Sequence, residues 1–244
     1  MLTTTLIEWT MRVWNIITGC TKTSPGCENC YAEKMAKLLE AWAVKKYRNG
    51  FEVTIHPELL SFPKKTKKPA LIFVNSMSDL FHPLVPIEFL KQVIEVMADC
   101  PQHIFQILTK RSQRLAELST ELTWPPNVWM GVSVENENYL YRLDDLRKVP
   151  TPNRFVSFEP LLGSIQNANL NGINWVIVGG ESGPKSRAIQ AEWVRTIRDQ
   201  CQKEGIPFFF KQWGGRLRKL AGRVLDDREW LEFPPDMAKI REEK

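Results

Sequence analysis

Cys20, Cys27 and Cys30 lie in the stretch GCTKTSPGCENCYAEKMA (19–36), which gathers three of the chain's five cysteines within eleven residues. In their C-x6-C-x2-C spacing, Cys27 and Cys30 can reach one metal centre from a tight turn built by Pro25 and Gly26. Cys20 arrives from the end of a predicted strand. A closed structural zinc site wants four ligands, and the nearest histidine, His56, lies beyond a whole predicted helix. Three thiolates suit a 4Fe-4S cluster with one iron left open, and an open iron binds a small chelating ligand. Two alternatives stand beside it: zinc held by two of the thiols and a distant histidine, or three free thiols.

The elements that must position these thiols are legible around them. VWNIITG (13–19) is the predicted strand entering the loop, and YAEKMAKLLEAWAVKKY (31–47) is the predicted helix leaving it. From residue 71 onward, short apolar runs alternate with polar clusters and helical stretches. The runs are LIFVN (71–75), HIFQILT (103–109), VWMGVSV (128–134), RFVSF (154–158), WVIVGG (175–180) and PFFFKQW (207–213). Near-continuous apolar runs of this length suit strands buried on both faces of a parallel sheet. Between most of them lie amphipathic segments such as IEFLKQVIEVMADC (87–100) and AEWVRTIRDQCQKEG (191–205), the latter ending at a glycine stop. The stretch 160–174 is weak as a helix. The pattern predicts an α/β chain, a full or partial (βα) barrel with about six to seven parallel strands, over the alternative of an open doubly wound sheet. No linker divides residues 1–244, so one domain is expected, with a tail from about residue 214 packed on or beside the barrel.

A barrel of this kind places its chemistry at the C-terminal ends of its strands. The polar clusters fall there: Asn75, Ser76, Ser78 and Asp79; Thr109, Lys110 and Arg111; Ser133, Glu135 and Asn136; Ser157, Glu159 and Pro160; Gly179, Gly180, Glu181 and Ser182; then Lys211, Gln212 and Trp213. Taken singly, each serine or asparagine reads as a turn or cap residue. Taken together they outline a polar pocket. Lys110 and Arg111 suit a carboxylate or phosphate. Glu135, Glu159 and Glu181 suit ribose hydroxyls or an amino group, or else pair with an arginine such as Arg154 or Arg187. The glycine pair beside Glu181 permits close backbone approach to a ligand. Trp213 suits stacking on a base or rim packing, and Tyr31 either shields a cluster or starts the helix's buried face.

Composition narrows the classes. An odd cysteine count, with Cys100 and Cys201 far from the cluster, argues against a secreted disulfide scaffold. The N-terminus lacks a basic leader and a clean apolar stretch, and no run is long enough to cross a bilayer, so a cytoplasmic protein with no membrane partner is expected. The net charge of +5 concentrates in PKKTKKP (63–69) and RLRKLAGR (216–223), which read as solvated loops or as anion contacts. Only three histidines exist and none forms a paired ligand motif, which ranks a metal-dependent hydrolase last.

A three-cysteine loop after the first strand of a (βα) barrel resembles the radical S-adenosylmethionine (SAM) superfamily, and GCENCYAEK resembles its spore photoproduct lyase branch. More closely, the blocks IEWTMRVWNIITGCTKTSPGCENCYAEKMA, FVNSMSDLFH, ILTKR, VWMGVSVEN, RFVSFEPLLG, WVIVGGESGP and FFFKQWGG are similar to a phage-associated, radical-SAM-like family of unknown function, encoded in some genomes beside a three-Cys-motif partner protein. The resemblance implies a cluster on Cys20, Cys27 and Cys30 whose open iron takes the amino and carboxylate groups of SAM. Reductive cleavage would then give methionine and a 5'-deoxyadenosyl radical. Ser76, Asp79, Lys110, Glu135, Glu159, Gly179, Gly180 and Glu181 are the candidates for holding SAM. The substrate is unidentified, with a nucleotide or nucleic acid suggested by analogy alone, and no electron donor is identifiable; the alternative function is a non-catalytic nucleic-acid-binding or accessory protein whose cysteine loop holds zinc or a structural iron-sulfur site. Two departures stand out: the first gap is x6 where x3 is commonest, and the GGE segment follows about the sixth strand where the superfamily's follows the second. Asn75, Ser76, Ser78 and Asp79 occupy the place after the second strand instead.

Overall fold

Near-continuous apolar runs become the strands of one sheet. The computed structural model describes residues 2–242, and its main sheet has the same order in space as in the chain. The strands are β1 (Thr3–Thr4), β2 (Arg12–Trp14), β3 (Leu71–Val74), β4 (Ile104–Thr109), β5 (Val128–Ser133), β6 (Asn153–Phe158), β7 (Trp175–Gly179) and β8 (Phe208–Gln212). β1 pairs antiparallel with β2, and every later neighbour pairs parallel, which makes seven parallel strands. β1 and β8 end the sheet, so the barrel is a partial one.

Helices α1 (Tyr31–Ala41), α2 (Ile87–Ala98), α3 (Ser112–Leu118), α4 (Tyr141–Arg147) and α5 (Ala191–Glu204) fill the crossovers. α5 stops where expected, at Gly205 with φ 69°, whose N–H bonds back to Gln202. No helix forms between β6 and β7. Leu161, Ile165, Ala168, Leu170 and Ile173 are buried there and cover the sheet in its place. No helix among the described residues is long and apolar enough to cross a membrane.

Alternation sorts the strand side chains onto two faces. Val74, Ile107, Met130, Val156 and Val176 share one cluster with Val93 and Met97 of α2 and with Val194 and Ile197 of α5. Phe73, Trp129, Phe155, Trp175 and Phe209 form a second cluster with Trp9 and Met237. In a flat sheet β3 and β8 would stand about 24 Å apart at ordinary strand spacing. Their aromatic rings share one cluster because the sheet curls around it. The C-terminal segment closes the bottom of this curl. Trp175 donates its indole N–H to Glu232 O at 2.9 Å, Trp129 donates to Asp236 Oδ2 at 3.1 Å, and Phe233 and α6 (Pro235–Glu242) pack on the rings.

The expected first strand and first helix are both shorter than their apolar patterns. The chain leaves the main sheet after Trp14, and Ile17–Thr18 pairs instead with Thr54–Ile55. Asn75 accounts for the break: its Oδ1 accepts from the N–H groups of Ile16 (3.0 Å) and Ile17 (3.1 Å). Its own φ of 61° turns the chain after β3, a conformation asparagine tolerates. The helix expected over 31–47 ends at Ala41, just before Ala43 takes a left-handed φ of 55°.

Candidate functional site

The C-terminal ends of β3 to β8 open onto one cavity of about 390 Å3, a volume typical of small-molecule sites. Side-chain size along the inward positions creates it. Above the aromatic layer come Ser133 and Ser157, register partners on β5 and β6. Gly131, one inward position below Ser133, makes room for Phe155, whose ring would lie 2.5 Å from a Cβ placed there. Ile7, Trp9, Phe73 and Leu108 supply apolar surface, and Cys20, Cys27 and Cys30 line the same cavity. All three cysteines are partly exposed free thiols.

The cysteine loop is held at both ends and from three strand ends. Gly19 enters it with φ 80°, where a Cβ would lie 2.2 Å from Glu52 O, so glycine is required. After β4, Arg111 donates through Nη2 to Thr21 O (3.0 Å) and Oγ1 (2.8 Å), and lies 3.8 Å from Cys20 Sγ. After β5, the fully buried Glu135 accepts from Ser24 Oγ at 2.6 Å and from Arg142 Nη1 at 2.9 Å. Gly26 fits against it, since a Cβ would meet Glu135 Oε1 at 2.5 Å. After β7, Glu181 accepts from Asn29 Nδ2 at 3.0 Å and from Arg187 through Nε (2.9 Å) and Nη2 (2.6 Å). Arg187 reaches on to Pro25 O at 2.8 Å and to Glu28 at 3.1 Å.

The remaining sequence candidates fall into two groups. Asp79 is consumed internally: it accepts from Phe81 N (2.9 Å), Thr109 Oγ1 (2.7 Å) and Lys110 N (3.1 Å), and so ties the segment after β3 to the end of β4. Ser76 donates to Asn15 Oδ1 at 3.1 Å, and its carbonyl accepts from the Tyr31 hydroxyl. Gly180 is glycine for the chain's own sake, because a Cβ would lie 2.0 Å from Trp213 O. Gly179 lies against Glu159, with 3.2 Å between a would-be Cβ and the carboxyl carbon. Lys110, 3.8 Å from Glu135, and the ion pair of Glu159 with Lys211 at 2.6 Å remain on the cavity wall. Trp213 packs edge-on to Phe210 and donates to Val224 O at 2.9 Å.

Charge at the loop follows from these neighbours. Burial, with Asp79 nearby, pushes the Cys20 thiol up to about 12. Burial acts the same way on Cys27, but hydrogen bonds from the Thr23 and Ser24 segment and the Lys110 ammonium outweigh it and hold that thiol below its ordinary value. For Glu181, burial raises the carboxyl, and the Arg187 and Asn29 hydrogen bonds overcome it and hold the carboxyl low.

Of the two arginines expected as carboxylate partners, Arg187 takes the role. Arg154 donates to Leu146 O and Val149 O instead. Ser24, Asn29 and Arg142 were absent from the sequence candidates. Ser24 and Asn29 lie inside the quoted loop, whose own polar residues were the available signal. Arg142 carries none, since it sits in the helix pattern of α4. In the basic stretches, Lys64 pairs with Asp99 at 2.7 Å and Arg223 with Glu229 at 3.0 Å. Among the described residues, no three or more His, Cys, Asp or Glu side chains are gathered as ligands of a single metal ion.

No curated protein matches this sequence. Among solved structures, a spore photoproduct lyase variant with dinucleoside spore photoproduct aligns at a TM-score of 0.53 and 12% identity, over 83% of this chain and 64% of that one. A tyrosine-to-phenylalanine variant of the same lyase aligns at a TM-score of 0.52 and 11% identity, over 99% and 74%. The chain thus spans less than two thirds of the first of these lyase chains. The likeness is one of fold: a mixed α/β chain with a large, mostly parallel sheet, similar to that of the lyase. A family model described as "Protein of unknown function (DUF5131)" matches residues 4–234, and the chain belongs to that family.

Proposed function

We propose that this protein is an iron-sulfur, SAM-dependent radical enzyme that carries a 4Fe-4S cluster on Cys20, Cys27 and Cys30. The observation that supports it is the position of three free thiols on one cavity at the C-terminal ends of parallel strands. The donor set fits the group. Three free thiols on one cavity, with the Arg111 guanidinium 3.8 Å from Cys20, are the ligand type that iron-sulfur clusters take. Held by Cys20, Cys27 and Cys30, such a cluster would offer an open iron to the amino and carboxylate groups of SAM and, once reduced by an external donor, would supply the electron for reductive cleavage of SAM.

The chain's own residues do the positioning. Arg111, Glu135 and Glu181 hold the loop from three strand ends, and the Arg111 guanidinium beside Cys20 offsets thiolate charge. Lys110, on the cavity wall, presents an ammonium to a carboxylate or phosphate. The proposal extends to a nucleotide or nucleic acid as substrate, supported by the dinucleoside held by the lyase neighbour and by two basic stretches. It also includes a three-Cys-motif protein as partner, on the resemblance of the sequence blocks.

Anaerobic reconstitution tests the proposal. A brown protein with about four iron and four sulfide per chain is expected, and it should yield 5'-deoxyadenosine from SAM under a strong reductant. A colourless protein carrying stoichiometric zinc would sink the cluster, and a brown protein inert toward SAM would reduce it to a structural or electron-transfer centre.

A further inference from the structure

Helix α1 carries an apolar stripe that the described residues leave uncovered. Tyr31, Met35, Leu38 and, just past the helix end, Trp42 recur at i, i+4, i+7 and i+11 and so share one face. They are 54%, 43%, 41% and 65% exposed. The helix packs inward through smaller side chains, Ala32 and Ala36, which share a cluster with Tyr47 and Met77. A surface helix ordinarily turns its large apolar residues to the core. This one is inverted, and contiguous exposed apolar surface marks an interaction site.

The place and charge of the stripe specify what it meets. It starts at Tyr31, which follows Cys30 directly and also lines the cavity, so the apolar face runs outward from the cysteine loop. Over residues 31–48, Lys34, Lys37, Lys45, Lys46 and Arg48 stand against only Glu33 and Glu40. Glu33 is taken by Lys37 at 2.8 Å, while Lys34, Lys45 and Arg48 are exposed and lack an ion-pair partner among the described residues. A second copy of the chain fits poorly, because a twofold interface would set the same cations against one another. Four side chains about half exposed offer on the order of 400 Å2, less than the roughly 800 Å2 per partner of a stable complex. The surface suits an acidic protein that binds transiently.

We propose that this face of α1 docks an acidic electron-transfer protein, which delivers the electron required at the cysteine loop. This rests on the cluster proposed above: one electron leaves the carrier, which is oxidised, and enters the cluster, which is reduced. Electron tunnelling falls steeply with distance, so a carrier must seat beside the thiols that hold its acceptor, and α1 begins one residue after Cys30. Met35, Leu38 and Trp42 form the apolar centre of the contact, and Lys34, Lys45 and Arg48 supply its charged rim.

The probes are two acidic carriers, a flavodoxin and a 2Fe-2S ferredoxin, with dithionite as the small-molecule control. Calorimetry on the chain before reconstitution measures docking, and stopped-flow bleaching of the reconstituted cluster measures electron delivery by the reduced carrier. At least one carrier should bind, and Leu38→Ala and Trp42→Ala should each weaken its binding about fivefold or more. Lys34→Glu should slow bleaching by the carrier about fivefold at low salt, and less as salt is added. Dithionite should bleach the cluster of Leu38→Ala and Trp42→Ala at the wild-type rate, which separates docking from damage to the cluster. The docking face is overturned if neither carrier binds, if the variants bind as wild type does, or if dithionite slows in step with the carrier. It is also overturned if Trp42→Ala turns a dimer into a monomer in sedimentation, which would assign a second copy. Loss of phosphatidylserine vesicle binding in Trp42→Ala, with carrier binding unchanged, would overturn it in favour of a lipid surface. A chain that takes up no cluster yet binds a carrier through Leu38 and Trp42 would instead sink the radical enzyme and leave the docking face standing.

Discussion

The cysteine loop and the cavity beside it are built from the same strand ends, and they use the carboxylates, serines and amides of those ends differently. Around the loop, bonding is dense: Glu135 has Ser24 and Arg142, and Glu181 has Asn29 and Arg187. On the cavity wall, Ser157 Oγ and Gln212 Oε1 have no partner although their residues are as deeply buried as Glu135 and Glu181. Of the strand-end carboxylates that resemble ligand contacts in the sequence, Glu135 and Glu181 serve as scaffold for the loop, while Glu159, paired with Lys211, lines the cavity with Ser157 and Gln212. A braced loop suits a preorganised site, because the loop must keep its shape when the cavity fills.

That contrast can be broken at the loop with the largest effects. Cys20→Ala, Cys27→Ala or Cys30→Ala should each abolish cluster incorporation, read as lost iron and lost visible absorbance, while Cys100→Ala and Cys201→Ala keep it. Glu135→Ala removes the partner of an Arg142 that is 1% exposed. It should cost about 3–5 kcal/mol in urea unfolding, whereas Glu135→Gln, which keeps an acceptor for Ser24 and Arg142, should cost less.

Arg187→Ala acts on a side chain that is 34% exposed, so a stability loss of about 1 kcal/mol is expected, with faster proteolysis between residues 20 and 30 as the sharper readout. Acid should mimic it. The folded Glu181 carboxyl titrates below its ordinary 4.5, so its contribution is fully present above that value and is lost as pH falls beneath it. Protease sensitivity of the loop should rise below about pH 4.5 and not between pH 5 and 7. On the wall the effect should nearly vanish. Ser157→Ala deletes a hydroxyl without a partner and should change stability by about 1 kcal/mol or less, in either direction. A loss as large as that of Glu135→Ala would erase the distinction between the two regions.

Much of the architecture was legible because its signals are local. Apolar runs at 71–75, 103–109, 128–134, 154–158, 175–180 and 207–213 predicted six of the parallel strands, and each appears with its ends shifted by few residues. The strand at 13–19 misled, because the apolar pattern continues through Ile16 and Ile17 while their backbone donors are taken by Asn75 from 58 and 59 residues away. The candidate site was legible in outline for the same reason: strand ends carry polar residues whether these bind a ligand or brace a loop. Which of the two each does depends on partners distant in the chain.

Residue types and spacing by themselves determined the parallel strands, the polar strand ends and three thiols in one short loop, since apolar period and cysteine separation are properties of neighbouring residues. Only the tertiary structure decided that Glu135 and Glu181 brace that loop while Ser157 and Gln212 face a cavity. Ser24 and Glu135 lie 111 residues apart, and Asn29 and Glu181 lie 152 apart. Bonds across such separations exist only once the sheet has curled, because curling is what brings the ends of β5 and β7 to the loop that follows β2.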